Sequence, residues 1–161
     1  MEKGLLSVLE SLAVTLRAQD WRLVTAESCT GGWIARTCTD LAGSSHWFEC
    51  GFVSYSNRSK QELLEVSEHS LAQFGAVSEV VAAEMVRGAI ANSAADVAVS
   101  VTGIAGPDGA TPDKPVGTVC FGWVVPNQPL RVATRHFDGD REAVRRQSVD
   151  YALRGLLSLL R

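Results

Sequence analysis

The run Asp96-Val97-Ala98-Val99-Ser100-Val101 constrains this chain most. It is apolar and β-branched without alternation, so it reads as a strand covered on both faces. Such a strand needs helices above and below its sheet, and helical patterns lie on both sides of it in the sequence. Residues 4–18 carry Leu5, Leu6, Leu9, Leu12 and Leu16 at helical spacing. Residues 31–41 read as a helix ending near Gly43. Residues 58–66 read as a helix with Asn57 as N-cap, and 67–74 as a helical turn ending at Gly75. Ser78 caps a long helix to about residue 92, and Asp140 caps another to about Leu160.

Four further strands are expected at 22–26, 48–55, 117–125 and 130–137. The last two are separated by Pro126-Asn127-Gln128-Pro129 and form an antiparallel hairpin. The expected architecture is a three-layer α/β/α sandwich with a mixed, mostly parallel sheet and the 96–101 strand at its centre. A chain of 161 residues is read as one domain over 1–161.

Composition narrows the function classes. A net charge of -3 argues against a dedicated nucleic-acid binder, which needs basic residues in excess. No apolar stretch is long enough to span a bilayer, and Glu10 interrupts the N-terminal leucine pattern, so the expected location is cytoplasmic. Cys29, Cys38, Cys50 and Cys120 form no C-x-x-C pair and read as free, mainly packing thiols. His46, His69 and His136 are scattered without H-E-x-x-H, so neither a metal nor any other cofactor is expected.

Two polar, glycine-bearing segments each follow a strand: Thr25-Ala26-Glu27-Ser28-Cys29-Thr30-Gly31-Gly32 and Thr102-Gly103-Ile104-Ala105-Gly106-Pro107. Loops at strand ends are where α/β proteins place ligand chemistry. Ser28 has an ordinary reading as the cap of the next helix. Against that stand Thr30, the space left by Gly31 and Gly32, and a helix start able to stabilise an oxyanion. Cys29 is an alternative nucleophile, ranked below Ser28 because adjacent residues on a turn point different ways. Ser28 needs a proton acceptor. Tyr55 and Lys60 are the candidates; their ordinary readings are an edge-of-core aromatic and a solvated helix face. The second segment, with Lys114 beyond it, has the character of a phosphate cradle, though it matches no standard nucleotide motif. Arg141 and Arg145 share a helix face and suit a phosphate or carboxylate.

Six segments occur in order: Ala26 to Gly32, Tyr55-Ser56-Asn57, Gly75 to Glu79, Thr102 to Pro107, Lys114 to Thr118, and Gly139-Asp140-Arg141. Together they resemble the motifs of the CinA C-terminal domain family, the nicotinamide-nucleotide amidohydrolases, over about residues 5–157. The resemblance implies hydrolysis of the carboxamide of nicotinamide mononucleotide to nicotinate mononucleotide and ammonia, in pyridine-nucleotide salvage. It places the family's catalytic serine on Ser28, its tyrosine on Tyr55, a lysine on Lys60, and an arginine on Arg141 or, second, Arg145. It also implies a homodimer or larger assembly and no metal. The backbone of Thr30, Gly31 and Gly32 is then expected to hold the oxyanion. The loop of Thr102, Gly103, Ile104, Ala105 and Gly106, with an arginine, is expected to hold the 5′-phosphate. Two rival readings stand beside this one: a non-catalytic nucleotide-binding paralogue, and a metal-dependent phosphate-ester hydrolase using Glu27 and Asp108.

Overall fold

The computed structural model describes residues 3–161. Met1 and Glu2, the start of the N-terminal segment read above, lie outside the described residues. One five-stranded sheet carries the molecule, in the order β2-β1-β3-β4-β5. The strands are β1 (Leu23–Glu27), β2 (Phe48–Val53), β3 (Val97–Gly103), β4 (Thr118–Val124) and β5 (Arg131–His136). β1 is parallel to both β2 and β3, and β4 is antiparallel to β3 and β5. Four strands therefore point one way and β4 runs against them. β3 is central, as its unbroken apolar pattern requires.

Among the described residues six α-helices cover the two faces: α1 (Lys3–Ala18), α2 (Trp33–Thr39), α3 (Asn57–Leu64), α4 (Glu68–Phe74), α5 (Glu79–Ala91) and α6 (Arg141–Leu159). The pleat of β3 divides the core. Val97, Val99 and Val101 pack with α1, α2 and α6, in a cluster holding Leu9, Leu12, Ile34, Leu153 and Leu156. Ala98 faces the other layer with Leu64, Val81, Met85 and Val86 of α3 and α5. Ser100 points the same way as Ala98 and stays satisfied by donating to Ala82 O at 2.7 Å. Helix α5 approaches α3 so closely that a Cβ on Gly88 would overlap the Leu64 carbonyl.

The topology explains where a site can form. The chain leaves β1 for β2 on one side and later returns to β3 on the other, so the strand order switches direction at β1. A crevice opens at the carboxyl ends of strands at such a point. The segments after β1, β2 and β3 all emerge there. Because β4 reverses the chain, β5 ends at that same edge and delivers the start of α6 to it.

Three local expectations are corrected. Helix α2 starts at Trp33, not Gly31, because Gly31 and Gly32 take left-handed φ values of 61° and 93°. Ser56, not Asn57, caps α3, its side chain accepting from Ser59 N at 3.0 Å. Strand β2 ends at Val53, so Tyr55 lies beyond it on the following turn.

Candidate active site

Glu27, the last residue of β1, is fully buried, and its carboxylate replaces an ordinary side-chain cap for α2. Oε1 accepts from Ile34 N and Thr30 Oγ1, each at 2.7 Å. Oε2 accepts from Ala35 N at 2.9 Å and Thr25 Oγ1 at 3.3 Å. A buried carboxylate is tolerable only with such a set of donors, and the helix start adds favourable partial charge. Ser28 is therefore not the cap of α2. Glu27 has its oxygens committed to the fold, and among the described residues no three His, Cys, Asp or Glu side chains gather where they could hold a metal. Asp108, exposed in the loop after β3, lines the same cavity as Ser28 and Lys60 but forms no carboxylate cluster with Glu27.

Ser28 is pinned by its own backbone. Its N–H donates to Val101 O, and its carbonyl accepts from Gly31 N, both at 3.0 Å. The turn thus formed leaves Ser28 Oγ at 2.9 Å from Lys60 Nζ. Lys60 lies in the first turns of α3 and is only 1% exposed, which corrects its reading as a solvated helix face. Its Nζ also reaches Ser54 O at 2.9 Å and Tyr55 O at 3.2 Å. Among the described residues no carboxylate pairs with it, and burial lowers its pKa from 10.5 to about 8. In the neutral amine two N–H bonds serve the two carbonyls, and the lone pair is left for the Ser28 hydroxyl proton. Burial pushes the Cys29 thiol up to about 12, so it stays protonated at neutral pH and is a poor nucleophile.

Tyr55 is 61% exposed rather than an edge-of-core aromatic. Its hydroxyl accepts from Arg141 Nη2 at 3.0 Å, while Arg141 Nη1 donates to Gly106 O at 2.7 Å. Arg141 therefore bridges the turn after β2 to the loop after β3. Ser28, Tyr55, Lys60, Thr102, Gly103, Ile104, Ala105, Gly106 and Arg141 all line one cavity of about 230 Å³. Two donors of the loop within it are taken up by the fold. Thr102 Oγ1 donates to Ala76 O at 2.8 Å, and Ile104 N donates to Thr118 O at 2.9 Å. Lys114 reaches away from it, donating to Phe74 O at 2.6 Å.

The remaining expected residues lie elsewhere. Thr30, Gly31, Gly32 and Arg145 line a separate cleft of about 590 Å³ between α2 and α6, and Arg141 borders both spaces. Arg145 is held in place: Nε donates to Cys29 O and Nη2 to Thr30 O, both at 3.0 Å, and its guanidinium lies 5.3 Å from the Trp33 ring centroid. The Ser28 turn is thus gripped by Glu27 from the core and by Arg145 from outside. Sequence reasoning missed both grips. The signal for Glu27 was an acid at the very end of an apolar strand, ahead of a helix with no side-chain cap.

The chain matches the CinA C-terminal domain family over residues 6–160. It is 52% identical to the nicotinamide-nucleotide amidohydrolase PncC of Enterobacter agglomerans, covering 97% of this chain and 95% of that one. It is 51% identical to the protein of the same name from Escherichia coli K12, covering 96% and 94%. A crystal structure of a competence/damage inducible protein from Agrobacterium tumefaciens superposes with a TM-score of 0.96 at 37% identity, covering 100% of this chain and 98% of that one. With its fold, the arrangement at the switch point and near full-length similarity in agreement, the chain belongs to the CinA C-terminal domain family.

Proposed function

We propose that the protein is a nicotinamide-nucleotide amidohydrolase, hydrolysing the carboxamide of nicotinamide mononucleotide to the carboxylate and ammonia in pyridine-nucleotide salvage. The names of its full-length relatives support the reaction. The observation that carries the chemistry is the 2.9 Å contact between Ser28 Oγ and a buried Lys60 whose other two contacts are backbone carbonyls.

Ser28 Oγ attacks the carboxamide carbon while its proton passes to neutral Lys60 Nζ. The carbonyl π pair moves onto oxygen, which the backbone N–H groups of the Ser28 turn stabilise. Arg145 draws the Cys29 carbonyl outward, so the Thr30 N–H on the same planar peptide points the other way. That N–H is the chief oxyanion donor; Gly31 N is already bonded to Ser28 O. Collapse breaks the C–N bond, and Lys60 returns its proton to the departing nitrogen, releasing ammonia. Water then attacks the Ser28 ester with Lys60 again as base, giving the carboxylate and restoring the hydroxyl. Tyr55, fixed by Arg141, closes the cavity and orients the ring. The test is ammonia release with Ser28→Ala and Lys60→Met beside the unaltered protein. The reading requires both variants to fold and to lose turnover.

Among the described residues no helix is long and apolar enough to cross a membrane. The reading places the enzyme in the cytoplasm as one domain, acting as a homodimer or larger assembly. Sedimentation tests the assembly.

A further inference from the structure

The cleft between α2 and α6 is larger than the cavity that holds Ser28, and the chemistry above places no part of the substrate in it. Its walls carry three guanidinium groups, Arg36, Arg141 and Arg145, against one carboxylate, Glu142. Two of the three are already fixed: Arg145 by the Cys29 and Thr30 carbonyls, Arg141 by Gly106 O and the Tyr55 hydroxyl. A guanidinium has five N–H donors, so each keeps donors beyond those two bonds. Arg36 is exposed, and its backbone bonds to Gly32 O and Asp40 N while its guanidinium has no hydrogen bond or ion pair among the described residues. Gly31 keeps part of the floor low; a Cβ there would come within 3.4 Å of Arg145 Nη2.

The alternative phosphate position, the 102–106 loop, shares its cavity with a single guanidinium, Arg141. Its Thr102 hydroxyl and Ile104 N–H are spent within the fold, and Lys114 is turned to the Phe74 carbonyl. Cations and room lie across Arg141, not around that loop. A phosphate dianion is best met by several forked guanidinium groups already held in place.

We propose that the α2–α6 cleft is a phosphate subsite in which Arg36 confers preference for a phosphorylated substrate. The ring and carboxamide occupy the Ser28 cavity, and the 5′-phosphate passes Arg141 into the cleft. This assignment rests on the amidohydrolase reading for its substrate, but not for its anion. Arg36 is the residue to test because, being exposed, it can be replaced without disturbing the nucleophile turn.

The experiment compares ammonia release from nicotinamide mononucleotide and from nicotinamide riboside, for the unaltered protein, Arg36→Ala and Arg36→Lys. Ribose 5-phosphate and ribose are titrated calorimetrically into the same three proteins. Arg36→Ala should raise KM for the mononucleotide about tenfold with kcat little changed, leave the riboside unaffected, and weaken ribose 5-phosphate binding similarly. Arg36→Lys should recover part of the loss. Equal effects on both substrates, or none on either, overturn the subsite and leave the reaction standing. No ammonia from either substrate, with Arg36-dependent binding of ribose 5-phosphate, overturns the reaction and keeps the subsite. Absence of both turnover and phosphate-dependent binding overturns both.

Discussion

Replacing Lys60 with Met separates stability from activity in a way that depends on pH. Lys60 is 1% exposed, and burial moves its pKa from 10.5 to about 8. Below the folded-state value the lysine is charged in both states, and the fold bears the cost of desolvating that charge. A shift of this size corresponds to about 3 kcal/mol at neutral pH. Between about pH 8 and 10.5 the unfolded chain binds more protons than the folded one, so stability rises with pH through that window. Above it both states are neutral and the penalty is gone. Methionine carries no such charge. The stability advantage of Lys60→Met over the unaltered protein should therefore shrink by roughly 2–3 kcal/mol from pH 7 to pH 10. Loss of donors to Ser54 O and Tyr55 O adds a cost of about 1–3 kcal/mol that is nearly constant with pH. Urea unfolding of both proteins at pH 7, 8.5 and 10 measures the difference, and other titrating groups largely cancel. A difference that stays flat with pH refutes the claim that burial perturbs this lysine.

Other expectations follow from the same geometry. In the intact enzyme kcat/KM should rise with pH and level off above about pH 8 if neutral Lys60 is the base, as proposed; a profile flat from pH 6 to 9 contradicts that role. Glu27→Gln places an amide NH₂ among N–H and O–H donors. It should cost about 1–3 kcal/mol in urea unfolding and lower kcat more than it raises KM, since the Ser28 turn loses its inner anchor. Gly88→Ala should destabilise the fold by at least about 1 kcal/mol through the clash with the Leu64 carbonyl, and thermal melting measures it. Tyr55→Phe should keep the fold and change turnover less than Ser28→Ala, because its hydroxyl meets Arg141 rather than Ser28.

Much of the fold is legible in the chain because its strands are short, apolar and punctuated. The 96–101 run announces a strand covered on both faces, and the Pro126–Pro129 break announces the hairpin. The boundaries are less legible where two residues of the same capping class stand together. Ser56 and Asn57 both suit an N-cap, and only backbone geometry separates them. Glycines 31 and 32 look like the start of a helix in pattern yet hold left-handed conformations before it.

The site is legible in part for a physical reason. Ser28 and the 102–106 loop follow strands, so topology alone brings them to one edge. Lys60 sits in Asn57-Arg58-Ser59-Lys60-Gln61-Glu62, a polar run with no sign that one member is buried. Its burial comes from tertiary structure, which brings Nζ to Ser28 Oγ after β1 and to the Ser54 and Tyr55 carbonyls after β2. Arg145 reads as a ligand-binding cation from its spacing with Arg141. In the fold it also holds two carbonyls of a turn more than a hundred residues away, which no local pattern encodes. Glu27 likewise reads as a lone acid until α2 closes over it.

The most direct test of the central claim is ammonia release from nicotinamide mononucleotide by the purified protein and by Ser28→Ala, with EDTA present in both. The Ser28–Lys60 account predicts steady release by the unaltered protein alone. Release that persists in Ser28→Ala, or that EDTA abolishes in the unaltered protein, contradicts it.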